Sequence, residues 1–398
     1  MTHRLNRRNF LRMGAALPVA SSVLPALARS AFAAPAAAGV PAVGFIDTPA
    51  NVALLNINEY PSGPIPAAVA VMHQMATNGN RYYMGETKKV AEQVAAYHDL
   101  KPGYVTLYAG SSEILNFTAL AFTSPAKSLV TADPTFEQTW RVAESNGAKV
   151  HKVPLKSDYS YDMEAMVAAD PNAGLFYICN PNNPTGTLVK RADIEWLLAN
   201  KPAGSVVLVD EAYIHFSDAE SVLDLVAKDK DLIVSRTFSK IYSMGGLRFG
   251  YASARPDLAE KLHHFGVNSM ATTAVQCAKA QLEDKQLIPL RKQAMADTRN
   301  RTFEWLAKNN YSFTPSQTNH FLLDVKKPGG PVINALAHHS VMVGRTWASM
   351  PNWPRITVGS PGDMQSFQTA FLEVMQMPDG KMNALAHPYP HLLHEHSC

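Results

Sequence analysis

The chain has 398 residues, of which 46% are apolar and 17% are charged, enough for two or three folding units with a large buried core. The formal charge of +3 is small, and five arginines near the start of the chain more than account for it (Arg4, Arg7, Arg8, Arg12 and Arg29). The remaining surface is expected to be near neutral, which argues against nucleic-acid binding and membrane-surface binding.

The first 33 residues have the features of an export signal. Arg7 and Arg8 precede a moderately apolar run over residues 13–28, and the small-residue site Ala31-Phe32-Ala33 follows. The run is too short, and too rich in proline, glycine and serine, for a spanning helix. The segment resembles a twin-arginine signal, which directs folded proteins to export machinery. We therefore exclude residues 1–33 from the fold and expect a periplasmic or secreted protein with no membrane segment in its mature form.

The rest of the sequence divides by pattern into two domains. Residues 34–76 are expected to form an arm and linker that belong to a smaller domain. Residues 77–265 alternate helical and apolar strand patterns, which predicts a large α/β domain. Residues 266–378 complete the smaller domain and include a helical pattern from Val275 to Trp305. Residues 379–398 form a tail rich in histidine and proline, typical of disorder. A metal site built from its histidines is the less favoured alternative, and none is predicted.

A candidate phosphate site follows the first strand-like run of the large domain, residues 105–109. Gly110, Ser111 and Ser112 come next and open a helix with apolar periodicity. Glycine permits close backbone approach, and the first-turn N–H groups together with the helix dipole attract an anion. An ordinary helix cap with Glu113 in the first turn is the alternative, and both can hold at once.

Two buried strand patterns end in polar residues. The run Leu175–Cys179 leads into a segment that contains Asn183, and the run Ser205–Val209 ends at Asp210. In open α/β sheets, ligands bind outside the carboxyl ends of strands. A carboxylate that closes an apolar strand is costly unless it is paired, and a protonated pyridine nitrogen would be a suitable partner. The alternative is an aspartate that caps the next helix.

The most informative stretch surrounds Lys240. This lysine follows the apolar run Leu232–Val234 among small hydroxyl residues, and Arg248 lies eight positions later in a glycine-rich turn. An aldehyde cofactor that carries a phosphate needs such a set: the amine forms a Schiff base, while Ser239 and Arg248 meet the dianion. A lone surface lysine is the alternative, but the strand-end Asp210 upstream favours the cofactor site.

Together these motifs resemble a known family. Asn183-Pro184-Thr185-Gly186, Asp210-x-x-Tyr213 and Ser239-Lys240 with Arg248 look like fold-type I pyridoxal-phosphate aminotransferases, in particular the histidinol-phosphate aminotransferase subfamily. Further motifs of that group occur in the same order: Asn56-Ile57-Asn58-Glu59-Tyr60-Pro61, Asn80-Arg81-Tyr82, Pro134-Thr135-Phe136 and Arg355-Ile356-Thr357-Val358-Gly359. The resemblance covers about residues 50–375. It implies an α/β fold in which a large domain with a mostly parallel seven-stranded sheet lies beside a smaller α+β domain.

The resemblance also implies roles around pyridoxal 5′-phosphate. Lys240 would hold the cofactor and then move a proton as a free amine. Asp210 would pair with the ring nitrogen, and Tyr213 and Asn183 with the phenolic oxygen of the ring. Phe136 matches the position whose ring stacks on the pyridine. Tyr82 matches a tyrosine that reaches the cofactor phosphate bound in the neighbouring subunit, so the resemblance also implies a homodimer.

Substrate binding is implied for four further residues. Arg355 resembles the arginine that clamps the anionic end of the substrate through two parallel hydrogen bonds. Arg345 is offset by one position, because Gly344 stands where phosphate-binding members usually place an arginine. Tyr60 matches a side chain near the distal group of the substrate, and Asn58 lies in the entrance segment.

The resemblance therefore implies an aminotransferase that moves an amino group from an amino acid or related amine to a 2-oxo acid. The expected donors are aromatic or similar to histidinol phosphate. A lyase, decarboxylase or racemase could use the same lysine and aspartate, because the substrate pocket decides which bond breaks. A non-catalytic protein that binds the cofactor is the alternative from another class of function.

Overall fold

The computed structural model describes residues 51–266 and 270–390. The predicted export signal, residues 34–50 of the predicted arm and the last eight residues of the predicted tail lie outside the described residues. Export, the periplasmic or secreted location and the interpretation of the chain's last histidines therefore stay predictions.

Eleven strands occur within the described part of the chain. In sequence order they are β1 (Ala53–Leu55), β2 (Val105–Tyr108), β3 (Leu129–Asp133), β4 (Val150–Pro154), β5 (Leu175–Cys179), β6 (Val206–Asp210), β7 (Leu232–Thr237), β8 (Gly250–Ser253), β9 (His320–Leu322), β10 (Val341–Val343) and β11 (Arg355–Thr357).

Helices separate most of these strands, as the predicted alternation requires. In sequence order they are α1 (Pro66–Ala76), α2 (Met84–Tyr97), α3 (Ser111–Phe122), α4 (Gln138–Ser145), α5 (Met163–Ala168), α6 (Arg191–Asn200), α7 (Leu223–Ala227), α8 (Pro256–His263), α9 (Thr272–Glu283), α10 (Leu287–Lys308), α11 (Gly329–His338), α12 (Pro361–Met375) and α13 (Asp379–Asn383). Within residues 51–266 and 270–390, no helix has the length and apolar character needed to cross a bilayer.

The large domain is built on one sheet of seven strands in the order β2-β8-β7-β6-β5-β3-β4. Strand β8 is antiparallel to both of its neighbours, and the other pairings are parallel. Every residue of β5 and β6 is buried, which explains their unbroken apolar runs, because helices cover both faces of a parallel sheet. The predicted mostly parallel, seven-stranded α/β fold is confirmed.

The sheet register brings the polar strand ends together. Cys179 pairs with Asp210, and Asp210 pairs with Ser235 on β7. The carboxyl ends of β5, β6 and β7 therefore meet at the same edge, where ligands bind in this class of sheet. Asn183 and Lys240 follow these strands by four and three residues, so they enter the same region as Asp210.

The arm and the C-terminal part of the chain share the smaller sheets. Strand β1, from the arm, pairs in parallel with β10, and β9 pairs with β11 in antiparallel fashion. The predicted helical pattern from Val275 to Trp305 is interrupted at Asp284, whose side chain accepts a hydrogen bond from the backbone N–H of Gln286 at 2.9 Å. This local turn divides the pattern into α9 and α10. The beginning of the predicted tail forms α13, and Met382 within it is buried.

Candidate active site

A central cavity of about 350 Å³ lies at the carboxyl ends of β5, β6 and β7. Its lining brings together residues from the arm, the start of α3 and the loops after these strands. The lining residues are Ile57, Glu59, Ser111, Ser112, Phe136, Cys179, Asn183, Asp210, Ala212, Tyr213, Thr237, Ser239, Lys240, Gly245, Gly246 and Arg248. The cofactor contacts predicted within a single subunit lie on this surface, except Gly110, which closely approaches Arg248 of the lining.

Asp210 ends β6 as a buried carboxylate with one unsatisfied oxygen. Its Oδ2 accepts a hydrogen bond from the hydroxyl of Tyr177 at 3.2 Å, while Oδ1 has no hydrogen-bond partner among the described residues. Burial raises the pKa of Asp210 to about 7, and the bond from Tyr177 acts in the opposite direction. An orphaned buried acceptor is unfavourable, so the site is complementary to a cationic N–H group at Oδ1. A protonated pyridine nitrogen fits this requirement.

Lys240 brings an amine into the same cavity. Its side chain is buried, and Nζ donates to the backbone carbonyl of Ile57 at 3.3 Å. The same Nζ lies 5.5 Å from the centre of the Tyr213 ring. The positive charge of Lys240 also acts on the Asp210 carboxylate. The amine is thus held inside the protein near the acid that would bind a cofactor ring.

Two amides surround the hydroxyl of Tyr213. Asn58 donates to this oxygen at 3.0 Å and Asn183 at 3.5 Å. Burial raises the pKa of Tyr213, so the hydroxyl keeps its proton and can donate it to an acceptor in the cavity. Asn58, predicted as a substrate contact, instead lies behind Tyr213. The hydroxyl oxygen of Thr357 on β11 accepts a hydrogen bond from the backbone N–H of Asn58 at 3.0 Å, and the same hydroxyl donates to Oδ1 of Asn58 at 3.1 Å.

The phosphate end of the cavity depends on a close approach between Gly110 and Arg248. Gly110 has φ +86°, and a Cβ atom at this position would lie 2.3 Å from Nη2 of Arg248. Arg248 donates to the backbone carbonyl of Gly245 at 2.9 Å and to Oγ of Ser239 at 3.5 Å. Gly110 is the residue that caps α3, so the N-terminus of this helix lies beside the guanidinium. A helix N-terminus, a hydroxyl and an arginine together suit a phosphate dianion.

Arg355 lies just behind the central cavity rather than on its surface. Its Nη1 donates to Oδ1 of Asn183 at 3.0 Å, and Nη2 donates to the carbonyl of Asn56 at 2.6 Å. The buried Nε atom has no hydrogen-bond partner in the described part of the chain. Burial lowers the pKa of Arg355 to about 10; Tyr213 opposes this shift and Arg345 adds to it. The guanidinium remains a cation at neutral pH, and its Nε–H group is available for an anion.

The other predicted substrate and partner contacts lie outside the central cavity. Arg345 forms an ion pair with Glu137, with 2.9 Å between Nη2 and Oε1. Tyr60 lines an adjoining cavity of about 430 Å³, and its ring lies 4.7 Å from the guanidinium carbon of Arg291. Tyr82 is 79% exposed on the surface, so it does not contribute to the cavity of its own chain.

Several lining residues were not predicted as contacts. Thr237 donates to Oγ of Ser239 at 2.9 Å, and it belongs to the same hydroxyl-rich motif as Lys240, which was the available signal. Gly245 and Gly246 lie in the glycine-rich turn before Arg248. Ile57 and Glu59 lie in the motif of residues 56–61, from which only Asn58 and Tyr60 were predicted as contacts. Contacts with distant parts of the chain, such as the pairing of β1 with β10, bring this segment to the cavity.

Comparison with known proteins agrees with this site. Residues 50–371 match the model of the family "Aminotransferase class I and II". Histidinol-phosphate aminotransferase of Symbiobacterium thermophilum is 32% identical over 323 residues, which cover 79% of this chain and 88% of the relative. Histidinol-phosphate aminotransferase 1 of Nitrosococcus oceani is 34% identical over 312 residues, covering 76% and 83%. The chain therefore belongs to the aminotransferase class I and II family.

A solved structure supports the same fold. The histidinol-phosphate aminotransferase of Sinorhizobium meliloti, crystallised in complex with pyridoxal-5′-phosphate, superposes with a TM-score of 0.76 at 23% identity, over 82% of this chain and 91% of that chain. The predicted family is confirmed. Its cofactor, pyridoxal 5′-phosphate, fits the unsatisfied Oδ1 of Asp210, the buried amine of Lys240 and the anion cradle at Arg248.

The titration of Asp210 gives a test of this electrostatic arrangement. Because burial raises the pKa from 3.8 to about 7, the folded apoprotein keeps a proton that the unfolded chain has released. The resulting stabilisation is fully present below about pH 4 and is lost as the pH rises through about 7. Relative to an Asp210→Asn variant, the unfolding free energy of the wild-type apoprotein should fall by on the order of 4 kcal/mol over this range.

Urea denaturation of both apoproteins at a series of pH values measures the effect. The asparagine variant cannot titrate at this position. The difference in unfolding free energy between the two proteins therefore removes the contributions of all other groups. If the difference in unfolding free energy between the two proteins stays constant from about pH 4 to about pH 7, this result would contradict a raised pKa at Asp210.

Proposed function

We propose that the protein transfers an amino group from an α-amino acid or related amine to a 2-oxo acid in two half-reactions. The observation that carries the proposal is the presence of the Lys240 amine and the unsatisfied Oδ1 of Asp210 in one buried cavity. When bound, pyridoxal 5′-phosphate supplies an aldehyde and an electron-withdrawing ring.

The residues that would hold this cofactor divide by the part that each contacts. Asp210 would accept the ring N–H and keep the nitrogen protonated. Tyr213 would donate its hydroxyl proton to the phenolic oxygen. Phe136 would cover one face of the ring. The phosphate would be held by the groups at the start of α3 and the turn after β7, namely Gly110, Ser111, Ser112, Ser239 and Arg248.

Lys240 is the group placed to move a proton. With the donor bound, its Nζ would take the proton from the donor's α-carbon and return it to the cofactor carbon that accepts the amino group. Burial of the side chain limits exchange of this proton with water, and proton transfer by a positioned side chain typically contributes a factor of about 10² to 10⁴ in rate.

Arg355 and Asn183 connect the substrate end to the cofactor end. A donor carboxylate that accepts a hydrogen bond from Nε of Arg355 would satisfy the guanidinium nitrogen that lacks a partner among the described residues. Asn183 accepts from the same guanidinium and donates to Tyr213. Binding of the carboxylate and orientation of the Tyr213 hydroxyl are therefore coupled through a single amide.

The half-reactions can be measured separately. We expect an amino donor, added without an acceptor, to remove the absorbance of the cofactor's aldehyde form, and a 2-oxo acid to restore it. Lys240→Ala should slow the conversion by about a thousandfold, whereas Lys228→Ala, on the exposed end of α7, should not change it. Continuous product release without spectral conversion would indicate a lyase or decarboxylase, and an unchanged spectrum would indicate a binding protein; either result would refute the proposed activity.

We also propose that the active unit is a homodimer in which Tyr82 completes the phosphate site of the partner. Tyr82 and its neighbours Tyr83 and Met84 expose 79%, 39% and 64% of their surface in the single chain. Such a run of large apolar side chains at the start of a helix favours burial against another surface. The phosphate end of the central cavity would gain a hydroxyl donor from this contact.

Mixing two variants tests the shared site, provided that activity is measured at a cofactor concentration too low to load Tyr82→Ala on its own. Tyr82→Ala should weaken cofactor binding about tenfold or more through loss of a hydrogen bond to a charged group. Dimers re-formed from equal amounts of Tyr82→Ala and Lys240→Ala chains should recover about a quarter of wild-type activity, because half of them carry one intact site. Tyr83→Ala in place of Tyr82→Ala serves as the neighbouring control. Absence of recovery in the mixture would show that Tyr82 does not act across a subunit interface.

A further inference from the structure

Two amide groups lie behind the hydroxyl of Tyr213, which forms part of the wall of the central cavity. Nδ2 of Asn58 lies 3.0 Å from the hydroxyl oxygen, and Nδ2 of Asn183 lies 3.5 Å from it. An amide side chain carries a donor at one end and an acceptor of similar shape at the other. The groups on the far side of each amide therefore decide which end faces Tyr213.

Arg355 fixes the orientation of Asn183. Its Nη1 donates to Oδ1 of Asn183 at 3.0 Å, and a guanidinium nitrogen can only donate. The oxygen of this amide must face Arg355, which leaves Nδ2 for Tyr213. Both side chains are buried, so bulk water has little access to this contact.

Thr357 fixes the orientation of Asn58. The backbone N–H of Asn58, which can only donate, donates to Oγ1 of Thr357 at 3.0 Å. The hydroxyl proton of Thr357 is then directed to Oδ1 of the same asparagine, at 3.1 Å. If the amide were reversed, this buried proton would lose the acceptor that the described residues provide, which is unfavourable. Asn58 therefore also presents Nδ2 to Tyr213.

The hydroxyl oxygen of Tyr213 thus receives hydrogen bonds from two amides. Among the described residues, its recorded partners are these two donors, and none is an acceptor for its own proton. A phenol has a single proton to donate, and this proton is left for a ligand atom in the central cavity. The phenolic oxygen of the cofactor is an acceptor that suits this position.

We propose that Thr357 is a positioning residue that acts through Asn58: it keeps the Tyr213 hydroxyl directed as a donor to the cofactor's phenolic oxygen, and the site thereby selects cofactors that carry this oxygen. The inference rests on the proposed function of Tyr213 as a cofactor contact, but it does not depend on amino-group transfer. Without the Thr357 hydroxyl, the amide of Asn58 is free to reverse. Its oxygen can then accept the Tyr213 proton in competition with the cofactor.

The test compares how tightly the apoprotein binds two ligands, pyridoxal 5′-phosphate and its 3-deoxy analogue, which lacks the phenolic oxygen. We expect the wild type to prefer pyridoxal 5′-phosphate. Thr357→Val keeps the shape of the side chain and changes no charge, but it removes the hydroxyl. It should lower the ratio of the two affinities about fivefold, the value of one hydrogen bond. Equilibrium titration by absorbance measures both affinities without any amino donor.

Two threonine variants are the controls. Thr357→Ser keeps the hydroxyl and should keep the wild-type affinity ratio. Thr314→Val removes another buried threonine hydroxyl of the smaller domain, whose Oγ1 accepts from the backbone N–H of Leu322 at 3.0 Å. It should also keep the wild-type ratio, because this hydroxyl does not contact Asn58. A general loss of structure would weaken the binding of both ligands equally and leave the ratio unchanged.

Asn58→Asp tests the same inference from the other side of the contact. Asn58 has φ +58°, a backbone region in which aspartate is tolerated as asparagine is, and a carboxylate can only accept the Tyr213 proton. The affinity ratio should fall in this variant, and adding Thr357→Val should lower it no further.

An unchanged ratio in Thr357→Val or in Asn58→Asp would overturn the proposal, as would an equal fall in Thr314→Val. If the wild type binds neither ligand, the cofactor site itself is refuted and the proposal with it. Binding of both ligands with no amino-group transfer would refute only the proposed activity.

Discussion

The carboxylate of Asp210 is buried at the end of the central strand β6, and the structure provides a partner for only one of its oxygens among the residues described. A buried acceptor without a donor destabilises the folded state. Its position is nevertheless fixed by strands on both sides, through the register of Asp210 with Cys179 and Ser235. The protein thus maintains an unfavourable group at a defined point, which is expected where a cationic ligand supplies the missing interaction.

A buried ion pair between Glu211 and Arg236 supports the relative position of Asp210 and Lys240. Glu211 follows Asp210, and Arg236 lies on β7 four residues before Lys240; their oxygen and nitrogen atoms are 2.7 Å apart and both side chains are buried. The backbone N–H of Glu211 also donates to the carbonyl of Ser235 at 2.8 Å. Removing either member of such a pair is strongly destabilising. The pair therefore fixes the two segments that carry the acid and the amine.

The sequence allowed the sheet and the cofactor end of the site to be predicted because their signals are local. Unbroken apolar runs indicate strands covered on both faces, and Asp210, Asn183 and Lys240 each follow such a run within six residues. The rest depends on tertiary contacts. Neither the hydrogen bond from Tyr177 to Asp210 nor the ion pair of Arg345 with Glu137 can be predicted from the neighbouring residues in the sequence. The end of α9 at Glu283 was also missed, because the turn at Asp284 interrupts a periodicity that continues through it.

If Lys240 and Asp210 form one cofactor site, covalent trapping should locate the cofactor on Lys240. Treatment of the purified protein with borohydride makes the bond between a lysine amine and bound pyridoxal phosphate permanent, and mass mapping of peptides locates it. We expect a pyridoxyl group on Lys240 that is lost in the Asp210→Ala variant at limiting cofactor. A modification on a different lysine, or none on the protein loaded with cofactor, would contradict it.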